Sequence, residues 1–167
     1  MSPLALRPEP PQLAWRAFDA LSPRDLHDLL RLRADVFVVE QACVFAEIDG
    51  RDPDALHLLA RMPGCDGLAA TLRLFPPKRG ARASIGRVAT AASARGLGLG
   101  RAMMVEGVAE ARRRFGGTPV EIGAQARLEA FYAAWASSAP RPTTTRMASC
   151  TARWCERDQT ERTTIER

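Results

Sequence analysis

The spacing of apolar positions changes period several times along the chain. Residues 13–18 (LAWRAF) read as a first strand. From Ser22 the period lengthens, and Leu26, Leu29, Leu30, Arg33, Val36 and Phe37 follow helical spacing. Ser22 as N-cap, Pro23 at the first helical position and Asp25 in the first turn mark where this helix starts. It ends in Val38-Val39-Glu40-Gln41, and a polar cluster, DGRDPD, turns the chain at 49–54. Residues 55–61 (ALHLLAR) and 68–74 (LAATLRL) read as a hairpin around the turn PGCDG. A strand follows at 84–90, then a helix at 99–115 with Met103, Met104, Val108 and Ala111 on one face. Gly116-Gly117-Thr118-Pro119 stops that helix. A strand at 120–124 and a short helix at 128–134 complete the pattern. The order β-α-β-β-β-α-β-α predicts a mixed α+β fold: an antiparallel hairpin, then a parallel β-α-β crossover. Such a sheet suits a ligand entering between splayed strand ends.

Composition narrows the class. A chain of 167 residues, 46% hydrophobic and 26% charged, can build one domain with a real core. No apolar run approaches the ~20 residues of a membrane span, and the Pro-rich start, MSPLALRPEPPQLAW, has no signal-peptide apolar region. The expectation is a soluble cytoplasmic protein without a membrane partner. Cys43, Cys65, Cys150 and Cys155 show no metal-binding spacing and fit a reducing compartment.

The candidate chemistry lies in IGRVATAASARGLGLGR, 85–101. Between strand and helix sits Arg95-Gly96-Leu97-Gly98-Leu99-Gly100. Alternating glycines leave backbone N–H groups unobstructed and permit positive φ. The helix that follows presents unpaired N–H groups and the positive end of its dipole, which together make a phosphate cradle. Arg95 and Arg101 add guanidinium forks at its rim. A dinucleotide fingerprint needs G-x-G-x-x-G and a following acid, and a Walker A loop needs Gly-Lys-Ser/Thr; neither is present. The alternative is a glycine-rich turn without a ligand.

R-x-x-G-x-G resembles the pyrophosphate loop of the GNAT acyltransferases. Five stretches together resemble the ElaA-like group of that superfamily: LLRLRADVFVVEQACV, DGRDPDALHLL, IGRVAT, RGLGLGR and IGAQARLEAFYA, spanning about 15–134. The resemblance implies the GNAT fold and acetyl transfer from acetyl-CoA to an amine on a small molecule or a protein. It places pantetheine along Val88, Ala89 and Thr90, with the Val88 N–H near the thioester carbonyl as an oxyanion donor. Arg95, Gly96, Leu97, Gly98, Leu99, Gly100 and Arg101 would hold the pyrophosphate. Gln125 and Tyr132 fall at the Asn and Tyr positions of the family's N-x-x-A-x-x-x-Y pattern. Tyr132 becomes the general acid for the departing thiolate, since a phenol keeps its proton at neutral pH; the alternative is a packing tyrosine. Glu40 is the candidate base, through water, against a helix-end carboxylate paired with Arg33. Arg33, Gln41 and His57 are expected to line the acceptor pocket, although a histidine on an apolar strand can equally be buried and satisfied. Cys43 reads as a small buried thiol rather than a nucleophile.

The resemblance stops after FYAA. The family continues with Gly-Phe and a strand pair around an acidic segment, whereas 135–167 is rich in Thr, Arg and Ser and reads as disorder. Read with each codon's third base joined to the next codon's first two, Trp135-Ala136 and Met147-Ala148 both force Gly. The junctions entering Thr143, Thr144 and Thr145 permit Asp. A one-base loss near Ala134-Trp135 therefore accounts for the tail. The expected layout is a lead-in over 1–12, an acetyltransferase domain over 13–134 and an aberrant tail over 135–167. The net charge of +5 draws on that tail, which has six Arg against four acids, so no nucleic-acid role is built on it.

Overall fold

The computed structural model describes residues 9–42, 46–78, 82–116, 120–124 and 147–149. Six strands form one sheet in chain order: β1 (Gln12–Ala17), β2 (Leu56–Arg61), β3 (Ala70–Phe75), β4 (Ala83–Thr90), β5 (Val120–Ala124) and β6 (Met147–Ser149). The first three pairings are antiparallel. β4 with β5 and β5 with β6 are parallel. The mixed fold and the β-α-β crossover are as the sequence predicts. Met147–Ser149, within the stretch 135–167, lies against β5. The predicted short helix at 128–134 lies outside the described residues.

Among the described residues two α-helices cover the two faces. Helix α1 (Pro23–Arg33) starts with a full capping box, the Ser22 side chain accepting from the Asp25 N–H while the Asp25 side chain accepts from the Ser22 N–H. It continues as a π-helical segment, Ala34–Glu40, where one unbroken helix was expected. The wider turn still buries Val36 and Phe37 and exposes Val38 and Val39. Helix α2 (Leu99–Phe115) ends at Gly116 in the left-handed conformation.

Period-2 alternation divides the core. Leu58, Leu72 and Ile85 pack with Met103, Met104 and Ala111 of α2, while Leu59, Leu68 and Ala89 pack with Leu29, Leu32, Val36 and Phe37. Ile85 and Ala89 are four apart, yet they face opposite helices. A bulge explains this. The β3–β4 register slips between Thr71, paired with Ala89, and Arg73, paired with Gly86. Arg87 takes φ +51° there, and the extra residue reverses the alternation beyond it.

Candidate active site

The same bulge opens the sheet. β4 pairs with β5 only at Ala83, Ser84 and Ile85. Its remaining length, Gly86 to Thr90, has no ladder partner on that side among the described residues. On its other side β4 stays bound to β3, and the Ala91 N–H still donates to the Ala69 carbonyl. Gly86–Thr90 is thus a strand edge without a ladder partner on that side among the described residues, open to pairing with an extended ligand. Val88 and Thr90 are half-buried and Ala89 is buried.

The chain leaves Thr90 through a 3-10 turn at Ala92–Ala94 and enters the glycine loop. Gly96 (φ +78°) and Gly98 (φ +73°) are both left-handed, and a Cβ at either would meet nothing within 4 Å. The glycines are there for backbone conformation, not for space. Gly98 caps α2, whose first turn has no acidic residue and no side-chain cap. A Cβ at Gly100 would lie 3.6 Å from the Thr90 hydroxyl, so the helix start sits against the strand end. Gly96, Leu97 and Gly98 are exposed and Leu99 is buried. An extended arm needs an open strand edge, and a pyrophosphate needs exposed N–H groups at a helix start; the open edge, the two left-handed glycines and the uncapped start of α2 have the chemistry that an acyl-CoA calls for.

Glu40 ends the π-helical segment, and Gln41 follows, half-buried. The alternative pairing of Glu40 with Arg33 is not what forms. Arg95 forks onto Glu40 instead, with Nη1 2.9 Å from Oε1 and Nη2 2.6 Å from Oε2, and its Nε donates to the Thr90 carbonyl at 3.2 Å. The Glu40 carboxylate raises the Arg95 guanidinium above its ordinary value.

Arg33 and His57, expected to line an acceptor pocket, are both fully buried. The Arg33 Nε and Nη2 donate to the Glu47 side chain and carbonyl, and Nη1 donates to Asp52 at 2.6 Å. The His57 Nε2 donates to the Asp52 carbonyl at 3.0 Å. Burial pushes the His57 ring below the ordinary histidine value, although the Asp52 carbonyl and carboxylate pull the other way. The imidazole is neutral and structural.

Around them lies a balanced network that the sequence reading missed. Arg73 grips both Asp49 oxygens at 2.8 Å and Asp52 at 3.1 Å. Arg87 reaches Glu47 at 3.0 Å and Asp49 at 3.4 Å. Three guanidiniums thus meet three carboxylates. Burial works against the charged form of Asp49, but hydrogen bonds from Arg73 and the Arg51 N–H, with the charges of Arg73 and Arg87, hold it far below the carboxylate range. Asp52 is held down against burial by Arg33 and Arg73. A signal was present: each of the three arginines interrupts an apolar run, in LLRLR, TLRLF and IGRVA, and a buried arginine needs an acid. The DGRDPD cluster supplies two of those acids.

Gln125 and Tyr132 lie outside the described residues, as does Cys43. The Arg101 side chain is exposed at the first turn of α2.

Comparison with known proteins decides the family. Residues 12–136 match the Acetyltransferase (GNAT) family. The chain belongs to it. A UPF0039 protein of Mycobacterium tuberculosis is 42% identical over 118 residues, covering 68% of this chain and 72% of its own. The crystal structure of an acyl-CoA N-acyltransferase from Pseudomonas aeruginosa superposes with a TM-score of 0.69 at 40% identity, covering 75% of this chain and 87% of that one. Escherichia coli ElaA also superposes with a TM-score of 0.69, at 33% identity, over 75% of this chain and 85% of its own. This GNAT chain is therefore an ElaA-like acyltransferase that draws on an acyl-CoA. No helix among its described residues is long and apolar enough to cross a membrane.

Proposed function

We propose that this protein is an N-acetyltransferase that moves an acetyl group from acetyl-CoA directly to an amine on a small molecule or a protein, in the cytoplasm. The observation that carries the reading is the parting of β4 from β5 after Ile85, with the freed edge leading straight into the glycine loop. Bound acetyl-CoA supplies the activated acetyl group. The chain's own residues would do the rest. Gly96 to Arg101 hold the pyrophosphate by backbone N–H groups and the α2 dipole, and Gln125 joins the cofactor-binding set. Val88 to Thr90 pair with the pantetheine arm, and the Val88 N–H faces the carbonyl oxygen as charge develops there. Glu40 takes the amine proton through water, beside Gln41. Tyr132 protonates the departing sulfur. No metal enters this chemistry.

The test is release of free CoA thiol when the protein, acetyl-CoA and a panel of primary amines are mixed, alongside a thermal titration with acetyl-CoA. A ligand binding only the folded state at 100 times its Kd adds about 2.7 kcal/mol of stability, so the midpoint should climb with concentration. Absence of that climb overturns the assignment. A second reading is favoured by the end of the family match at residue 136: a folded CoA binder that does not turn over. Binding without thiol release on any amine supports it. Sequencing the gene on both strands decides whether a base was lost near Ala134-Trp135.

A further inference from the structure

Two proposed roles meet in one ion pair. Arg95 stands in the loop assigned to the pyrophosphate, and Glu40 is the assigned base. The end of the Arg95 guanidinium is forked onto Glu40, and its Nε is spent on the Thr90 carbonyl. Thr90 itself ends the strand edge assigned to pantetheine. One side chain therefore ties together the base, the strand end and the phosphate loop, which come from three separate elements.

A phosphate arriving at this loop meets a guanidinium whose charge is already matched. It also meets a carboxylate of its own sign. Both conditions favour exchange of partners: the fork geometry that suits a carboxylate suits a phosphate equally. The pair is accessible to such exchange, since Arg95 is 43% and Glu40 46% exposed.

We propose that acyl-CoA loading and the loss of the Arg95 fork from Glu40 are one event: the pyrophosphate takes the guanidinium, and the Glu40 carboxylate, no longer forked by it, serves the acceptor amine. The proposal rests on the acetyltransferase reading above and adds an order to it. A chain without acyl-CoA has its base tied down, so acceptor deprotonation follows cofactor binding. Linkage makes the coupling reciprocal: whatever loosens Glu40 from Arg95 must tighten CoA.

Calorimetric titration with CoA itself tests this on the wild-type chain, Glu40→Gln, Arg95→Gln and the double variant. Both side chains are exposed, so the fold is not at stake. Glu40→Gln should tighten CoA by about two- to fivefold, the range that an exposed ion pair supports. Arg95→Gln should weaken it. Adding Glu40→Gln to Arg95→Gln should change nothing further, because Glu40 acts through Arg95. Unchanged or weaker binding by Glu40→Gln overturns the coupling. So does an equal gain in both backgrounds, which would make Glu40 a general charge rather than a competitor. If the wild-type chain binds no CoA, the phosphate-loop assignment falls and the coupling with it; CoA binding that ignores Glu40 removes the coupling alone.

Discussion

Replacing Arg33 with Met tests whether the buried network is structural. The arginine is fully buried and satisfies two carboxylates and one carbonyl. Methionine keeps the apolar stem, so little cavity forms. The loss is electrostatic. Three guanidiniums and three carboxylates become two and three, leaving Glu47 with Arg87 alone and Asp52 with Arg73 alone. Breaking a buried pair from one side costs about 3–5 kcal/mol, against a total stability of about 5–15 kcal/mol for a domain. With a urea slope of roughly 1–3 kcal/mol per molar, the midpoint should fall by about 2 M. Arg31→Met is the matched control: Arg31 is 41% exposed and meets Asp66, itself 82% exposed, so it should cost under about 1 kcal/mol. Urea denaturation followed by far-UV circular dichroism reads both. Equal, small losses in the two variants would refute the reasoning.

Other measurements bear on the site. His57 is held neutral by burial, so its contribution to stability is present above the unfolded value of about 6.5 and is lost as pH falls below it. Asp49 and Asp52 are depressed, so theirs is present above about pH 4 and is lost as pH falls further. A melting profile should show a shoulder near pH 6 and a steep fall below 4, and His57→Gln should remove only the shoulder. Gly98→Ala introduces a side chain at φ +73° in open space; its cost is backbone strain of about 1–2 kcal/mol, and CoA affinity should fall roughly tenfold by titration while the core stays intact. Tyr132→Phe should lower kcat by about 10²–10⁴-fold and leave the CoA Kd unchanged. An equal loss of CoA affinity would place Tyr132 in packing instead.

Part of the site was legible because its signals are local. Glycine alternation, an arginine at each end and a strand-to-helix switch all lie within 85–101, and Gly96 and Gly98 take the positive φ that this pattern calls for. The helix start at Ser22 was legible for the same reason, since a capping box is a contact between residues three apart. Glu40, Arg33 and His57 were not placed, because their partners are distant. Arg95 lies 55 residues from Glu40, and Asp52 lies 19 from Arg33.

The sequence by itself determined the order of elements, the hairpin, the crossover and the glycine loop's conformation, since hydrophobic period, capping and glycine conformation act over a few residues. Tertiary structure alone decided the rest. Three arginines that each look misplaced in an apolar run become one neutral cluster only when α1, the 46–54 segment, β3 and β4 converge. The bulge at Arg87 that frees the edge of β4 is a mismatch between two strands, and no single strand's sequence contains it.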